Sequence, residues 1–285
     1  MQNPKISIIV STYGRNEHLK KLLDSLRTSA PLEAYELLII SSDPPETEKI
    51  AWLKTQSDIK LILADARKPW QLRKKSAHYY INLGIKKSHN EWIIVVNDDM
   101  YFLPDWYSEF VKFLGNPDHS NAGMIIVAAH VGNVESGLRI EIIGKTKKPG
   151  REWRNLYLSD VCITRKDVLE TIGLYDEHLD WFGAGADNSL AVEFLTTKDT
   201  IPCEYIKIGH SIAHENRGTN MGDSFSDFHY LINKWNRWCQ AHDCQYVWDP
   251  GLPPYTLRNR IENYIKQKRK ILHHYKKYFL AMRRK

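Results

Sequence analysis

The feature that most constrains the fold is a rhythm between Lys5 and Val96, where short apolar runs alternate with segments of helical period. Lys5-Ile6-Ser7-Ile8-Ile9-Val10-Ser11 is mostly apolar and β-branched, which predicts a buried strand. Asn16 is placed to cap a following helix whose apolar face is Leu19, Leu22, Leu23 and Leu26. Tyr35 to Ile40 predicts a second strand, closed by the turn chemistry of Ser41-Ser42-Asp43-Pro44-Pro45. A helix through Trp52, a third strand at Ile59 to Leu63 and a longer helix from about Trp70 to Lys87 follow. Trp92 to Val96 is unbroken in its apolar character, as a central strand covered on both faces would be. Strands and helices alternating in this way predict an α/β fold with a mostly parallel central sheet flanked by helices.

On such a sheet a ligand binds beyond the carboxyl ends of the strands. That rule marks Thr12-Tyr13-Gly14, Ser41-Ser42-Asp43 and Asn97-Asp98-Asp99. Beyond Pro104 the pattern loosens. Helices are expected at Asp105–Leu114, Arg165–Ile172, Ala186–Leu195 and Ser224 to about Gln240, with strands at Met124–Ala129 and Glu204–Ile208. With no internal repeat or low-complexity linker, the expectation is one catalytic domain over 1–222 and a helical extension over 223–285. The domain would divide into a nucleotide-binding half, 1–103, and an acceptor-side half, 104–222.

An apolar content of 42% with 26% charged residues is that of a globular protein with a sizeable core. No apolar run approaches the ~20 residues of a membrane span. The first residues lack the order of a secretory signal, which leads to an expectation of a cytoplasmic protein. Cys162, Cys203, Cys239 and Cys244 match no zinc spacing and read as reduced thiols. The net charge of +6 is concentrated in the tail: from Arg258 to Lys285 the basic residues face a single acid, Glu262.

Asp98 and Asp99 are adjacent carboxylates directly after a buried strand, and they repel one another unless a cation compensates them. A hard divalent ion with oxygen ligands suits that role and would also bridge a diphosphate. A solvated turn or a helix cap ahead of Pro104 is the alternative, since Asp is common in both.

The order Ile8-Ile9-Val10-Ser11-Thr12-Tyr13-Gly14-Arg15, Asn82-Leu83-Gly84-Ile85 and Trp92 to Asp99 resembles the family-2 glycosyltransferases of GT-A fold. The resemblance implies that Thr12 and Tyr13 contact a nucleotide, with Arg15 beside them, and that Asn82 and Gly84 lie beneath the donor. It sets Asn97-Asp98-Asp99 in the place of a DxD motif that binds a divalent cation, Mn2+ or Mg2+, and the donor diphosphate. Asn97 replaces the first Asp of that motif, which makes Asp99 the main metal ligand and leaves Asn97 and Asp98 to orient the donor. Ser41-Ser42 stands where the family often has an Asp pair, so Asp43 is the candidate to meet the nucleobase or ribose, with Asp65 the alternative.

Downstream, Gly173-Leu174-Tyr175-Asp176-Glu177 and Ala184-Gly185-Ala186-Asp187-Asn188-Ser189-Leu190 resemble the acceptor-side signature of the same family. By that likeness Asp187 is the catalytic base, although Ala186 replaces the usual Glu; as an Asp ahead of a helix it also reads as an N-cap. A late His that completes metal coordination is implied, with His214 preferred to His210. Arg217, in a Gly-containing loop, is a candidate phosphate contact.

The resemblance implies an inverting transfer of a sugar from a nucleoside diphosphate sugar to a saccharide or lipid-linked acceptor, in cell-surface polysaccharide synthesis. Two other readings stay open. A non-catalytic nucleotide-sugar-binding protein is suggested by Asn97 and Ala186. A sugar-1-phosphate nucleotidyltransferase would share the α/β half, but it calls for a Gly-rich first loop, and Ser11 to Arg15 has only Gly14.

In the tail, Ile261, Ile265, Leu272, Tyr275 and Phe279 recur at helical spacing among Lys and Arg. That pattern fits a helix on an anionic membrane surface, holding the protein at the inner face of the membrane, or a helix packed on the domain. No nucleic-acid reader motif is present, so no nucleic-acid partner is expected.

Overall fold

The structure is a computed structural model that describes residues 5–64, 76–119, 122–129, 141–144, 162–179, 184–195, 204–214, 224–242, 244–247 and 265. The first half runs β1 (Ile6–Thr12), α1 (Asn16–Ser29), β2 (Tyr35–Ser41), α2 (Glu48–Lys54), β3 (Ile59–Leu63), α3 (Ala77–Lys87), β4 (Trp92–Asn97), β5 (Met100–Phe102) and α4 (Trp106–Leu114). The second half runs β6 (Ala122–Ala129), β7 (Glu141–Gly144), β8 (Cys162–Arg165), α5 (Lys166–Thr171), α6 (Ala184–Leu195), β9 (Glu204–His214), α7 (Ser224–Ala241) and β10 (Cys244–Val247).

Among the described residues eight strands form one sheet in the order β3-β2-β1-β4-β8-β6-β9-β5, and β10 pairs with β7 in a separate ribbon. β3, β2, β1 and β4 are parallel to one another, as the alternating pattern requires. β8 then enters between β4 and β6 antiparallel to both, and β5 closes the far edge antiparallel to β9. These two short strands make the sheet mixed beyond β4.

The central strands carry apolar side chains on both faces because each face is covered. Ile6, Ile8, Val10, Leu37, Ile39, Ile94 and Val96 pack on one side with α1 and α4. Ile9, Leu38, Ile40, Ile93 and Val95 pack on the other with residues of α3, α5, α6 and α7. The period of two along each strand assigns alternate residues to opposite layers. The stripe of α1 is fully buried at Leu19, Leu22, Leu23 and Leu26. Each contributes about 1.5–3 kcal/mol by removal from water.

Helix α7, which the sequence assigns to the extension, supplies Leu231, Trp235 and Cys239 to the second layer. Gly84 lets α3 lie close on the sheet: a Cβ there would stand 2.5 Å from Ile9 Cγ2 and 3.0 Å from Ile40 Cδ1.

Several boundaries differ from expectation, each for a local reason. Helix α1 begins at Asn16, so the cap position falls on Arg15, whose side chain makes no capping bond. Helix α3 begins at Ala77, where the Ser76 hydroxyl accepts from the Tyr79 amide, and residues 65–75, including the expected start at Trp70 and Asp65, lie outside the described residues. Helix α6 begins at Ala184, which places Asp187 inside the first turn and not at the cap. Strand β9 runs on to His214 because its final residues pair with β5: Met100 with His214, Tyr101 with Ala213 and Phe102 with Ile212. Arg217 and the basic tail, apart from Ile265, also lie outside the described residues.

Candidate active site

Register brings the three sequence-marked strand ends together. Thr12 pairs with Ser41, and Ser11 pairs with Asn97. The segments that follow, Tyr13-Gly14, Ser42-Asp43 and Asp98-Asp99, therefore lie side by side at the carboxyl edge of β1, β2 and β4. Asn97 is exposed at this edge, whereas Asp98 and Asp99 form the turn into β5 and are 6% and 4% exposed. Tyr13 stands 41% exposed there, an unusual position for an aromatic ring and a ready platform for a flat ligand.

A buried network ties the three ends together. The Thr12 hydroxyl donates to Asp98 Oδ2 at 2.7 Å and accepts from Lys49 Nζ at 2.6 Å. Lys49 also donates to the Gly14 carbonyl at 2.7 Å and lies 2.9 Å from Asp43 Oδ2. Asp43 in turn accepts from the Gly14 amide at 2.9 Å and from the Ser41 hydroxyl at 2.8 Å. Both backbone polar groups of Gly14, its N–H and its C=O, are thus held by an ion pair beneath the turn.

This anchoring matters because the turn is strained. Gly14 has φ 71° and Arg15 has φ 36° with ψ 46°, a left-handed conformation that an arginine adopts only at a cost of about 1–3 kcal/mol. The strain directs the guanidinium back over the acidic pair: Arg15 Nη1 donates to Asp99 Oδ2 at 2.7 Å and to Asp98 Oδ1 at 3.4 Å. Burial pushes the Asp98 carboxyl above its usual range, with Asp99 adding to the shift, against the Thr12 bond and the charges of Arg15 and Lys49. Among the described residues the cluster holds three carboxylates, Asp43, Asp98 and Asp99, against two cations, Arg15 and Lys49.

A second network lies on the segments after β8, between α5, α6 and α7. Asp187, on α6, is 2% exposed. Lys234 of α7 donates to both its oxygens at 2.8 Å, and Trp235 Nε1 donates to Oδ1 at 2.7 Å. Lys234 also reaches Asp176 Oδ2 at 2.8 Å, which accepts from the Tyr230 hydroxyl at 2.9 Å. Burial raises Asp187, with Lys234 and Trp235 opposing it. Burial works to lower Lys234, but Asp187 and Asp176 outweigh it and hold the ammonium charged. Asp176 lies well below the usual carboxylate range: burial works upward, and the bonds from Lys234 and His178 overcome it.

Of the sequence-predicted residues, the structure unites Thr12, Arg15, Asp43, Asp98 and Asp99 in one cluster, with Tyr13 and Asn97 at its rim. Asn82 lies elsewhere. Its amide donates to the Tyr175 carbonyl at 2.8 Å and Glu177 Oε1 at 3.0 Å, and its oxygen accepts from the Tyr175 amide at 3.0 Å. Both ends of Asn82 are therefore spent on fastening α3 to the segment after α5. His214 is placed by its backbone pairing with Met100, one residue beyond Asp99, and His210 by its place inside β9.

Lys49, Lys234 and Trp235 were not among the expected residues. The available signal for Lys49 was its place beside the inward-facing Ile50 and Leu53 of a short helix; Lys234 and Trp235 gave none beyond a helical pattern. Among the described residues no group of three or more His, Cys, Asp or Glu is placed to hold a metal ion.

The model of the family described as "Glycosyl transferase family 2" matches residues 7–173, more than half of the chain. The chain belongs to glycosyl transferase family 2. The matched span contains the whole strand-end cluster and stops at the end of α5, so α6, β9 and α7 lie beyond it. An O-antigen biosynthesis protein, RfbC of Myxococcus xanthus, is 24% identical over 66% of this chain, which spans only 16% of that protein's length. An uncharacterized glycosyltransferase, YwdF of Bacillus subtilis (strain 168), is 24% identical over 76% of this chain and 79% of its own.

Among solved structures, S. aureus TarS 1-349 in complex with UDP-GlcNAc matches with a TM-score of 0.59 and 16% identity, over 81% of this chain and 65% of that one. The mannosyltransferase PcManGT from Pyrobaculum calidifontis, in complex with GDP-Man and Mn2+, matches with a TM-score of 0.54 and 14% identity, over 83% and 65%. At these identities the likeness is one of fold, and it is the GT-A type.

Proposed function

We propose that this glycosyltransferase moves a sugar, with inversion, from a nucleoside diphosphate donor to a hydroxyl of a glycan or lipid-linked saccharide used in cell-surface polysaccharide synthesis. The observation that carries the reading is the strand-end cluster: register alone sets Thr12, Asp43 and Asp98-Asp99 side by side with a cation already seated on the acidic pair. The exposed Tyr13 and Asn97 line the same edge, where Tyr13 would meet the nucleotide. Donor complexes of TarS and PcManGT support a UDP- or GDP-linked sugar as the donor class.

The acidic pair suits a divalent cation, since Asp99 and Asp98 already share one positive group and His214 is brought next to them by the β5–β9 register. Asp99 and His214 would hold such an ion, Mn2+ or Mg2+, whose chemistry is to neutralise the departing diphosphate. The chain's own residues do the rest. Asp187 takes the proton of the acceptor hydroxyl as its oxygen bonds to the anomeric carbon and the bond from that carbon to the diphosphate oxygen breaks. A carboxylate offers about four lone-pair sites. Among the described residues the Asp187 carboxylate accepts hydrogen bonds from Lys234, at each oxygen, and from Trp235, which leaves one of those sites for the proton.

The test is sugar release from UDP-GlcNAc and GDP-mannose with Mn2+ and Mg2+. Slow hydrolysis by the wild type, lost in Asp99→Ala and Asp187→Ala, supports the enzyme. Nucleotide binding without turnover for any common donor, metal and acceptor would establish a non-catalytic nucleotide-sugar-binding protein instead. Among the described residues no helix is long and apolar enough to cross a membrane. The proposed placement is cytoplasmic, with the basic tail resting on an anionic membrane surface near a lipid-linked acceptor.

A further inference from the structure

Arg15 sits on the acidic pair to which the proposed function assigns a metal ion. Its Nη1 lies 2.7 Å from Asp99 Oδ2 and 3.4 Å from Asp98 Oδ1, so the guanidinium bridges both carboxylates. The backbone beneath it is fixed, because Gly14 is bonded through its amide to Asp43 and through its carbonyl to Lys49. The side chain is not enclosed: it remains 38% exposed, against 4% and 8% for the carboxylates it covers. A long cation on a pinned, left-handed backbone can leave Asp98-Asp99 by side-chain rotation alone, without moving the turn.

Charge decides where it goes. The pair carries two negative charges, and a divalent ion neutralises both, which removes the attraction that holds Arg15 there. The fork of a guanidinium matches the oxygens of a phosphate, and a nucleoside diphosphate brought by the ion is the nearest new anion.

We infer that Arg15 is a built-in counter-cation: a divalent metal displaces it from Asp98-Asp99, and it then binds the diphosphate of the donor. The inference rests on the proposed donor class but concerns the order of occupancy, which is measurable without turnover. Metal and donor then reinforce one another, because each is hindered alone: the metal by Arg15 on the carboxylates, the diphosphate by the absence of a free guanidinium.

The experiment measures Mn2+ binding by the loss of the free-ion electron paramagnetic resonance signal, first with no nucleotide, for the wild type, Arg15→Gln and Arg15→Lys. A hydrogen bond to an ionised partner is worth about 1.5–3 kcal/mol, and the exposure of Arg15 places the release at the low end. Mn2+ should therefore bind Arg15→Gln about tenfold more tightly than the wild type. Arg15→Lys, which keeps the charge and loses the guanidinium, should fall between them. With Mn2+ saturating, UDP or GDP should bind Arg15→Gln about tenfold more weakly, so the two affinities move in opposite directions.

A residue that only supports the turn would weaken both affinities together, and that result overturns the inference. So does unchanged Mn2+ affinity in both variants, or no Mn2+ binding by any of the three proteins. If Arg15→Gln does not fold, the same two measurements on Arg15→Lys decide the matter, with opposite movement supporting and joint weakening refuting. The transferase reading is judged separately, by sugar release.

Discussion

Replacing Lys234 by Met tests the physical account of the Asp176–Asp187–Lys234 cluster most directly. Lys234 bonds both oxygens of Asp187 and one of Asp176, so its removal leaves two carboxylates without their shared cation. Among the described residues, Asp187, 2% exposed, retains the Trp235 bond, while Asp176 retains Tyr230 and His178. Breaking a buried pair by deleting one partner costs about 3–5 kcal/mol. Lys234 itself is 31% exposed, and solvent screening brings the expectation down to about 2–3 kcal/mol. That is a fall in Tm of about 4–10 °C for a chain of this size.

The pH dependence has a definite sign. Without Lys234, burial and Asp176 still raise Asp187, so its folded value moves further above the unfolded one, about 4. Such a group contributes stability that is fully present below the unfolded value and is lost as pH rises through the folded one. Asp176 is depressed in the wild type, so the stability it adds is present above its unfolded value and constant from pH 5 to 8. The gap between Lys234→Met and the wild type should therefore narrow as pH is lowered from 8 to 5. Thermal melts across that range, with the double variant Asp187→Asn/Lys234→Met, make the measurement. The double variant removes the stranded charge and should recover about 1–2 kcal/mol at pH 7. A single variant within about 0.5 kcal/mol of wild type, or a gap that widens in acid, refutes the reasoning.

Gly84→Ala should destabilise by about 1–3 kcal/mol, read as a lower urea midpoint, because the new methyl would stand 2.5 Å from Ile9 Cγ2. Lys49→Met leaves Asp43, 5% exposed, without its cation; about 3–5 kcal/mol should be lost, and the Gly14 amide should exchange its hydrogen faster. Asn82→Ala removes three hydrogen bonds between α3 and the segment after α5. It should cost about 1–3 kcal/mol, with faster hydrogen exchange concentrated at residues 174–179.

The first half was readable because local pattern and global position agree there. Ile6 to Val10, Leu37 to Ile40 and Ile93 to Val96 are apolar on both faces since α1 and α4 cover one side and α3 and α5 to α7 the other. The three strand ends then follow from topology, and the structure joins them. What escaped the sequence depends on partners far along the chain. β8 is four residues long and β5 three, too short for a period to register, yet they decide that the sheet is mixed. Lys49 reads as a solvated helix residue until Asp43 and Thr12 are seen beneath it. Asn82 carries a family position but spends its bonds on Tyr175 and Glu177, a choice that no local pattern records.

The ion pair between α6 and α7 also sets a timetable. Lys234 follows Asp187 by 47 residues and Asp176 by 58. At about 5–20 residues per second, ribosomal synthesis delivers this lysine roughly 2–12 s after the carboxylates it neutralises. During that interval a nascent chain holds Thr12, Asp43 and the Asp98-Asp99 turn but has no cation from α7 for Asp176 and Asp187. The strand-end cluster is thus available first and the proposed base is set later, so a polypeptide released before Lys234 would carry the first cluster with Asp176 and Asp187 lacking that cation.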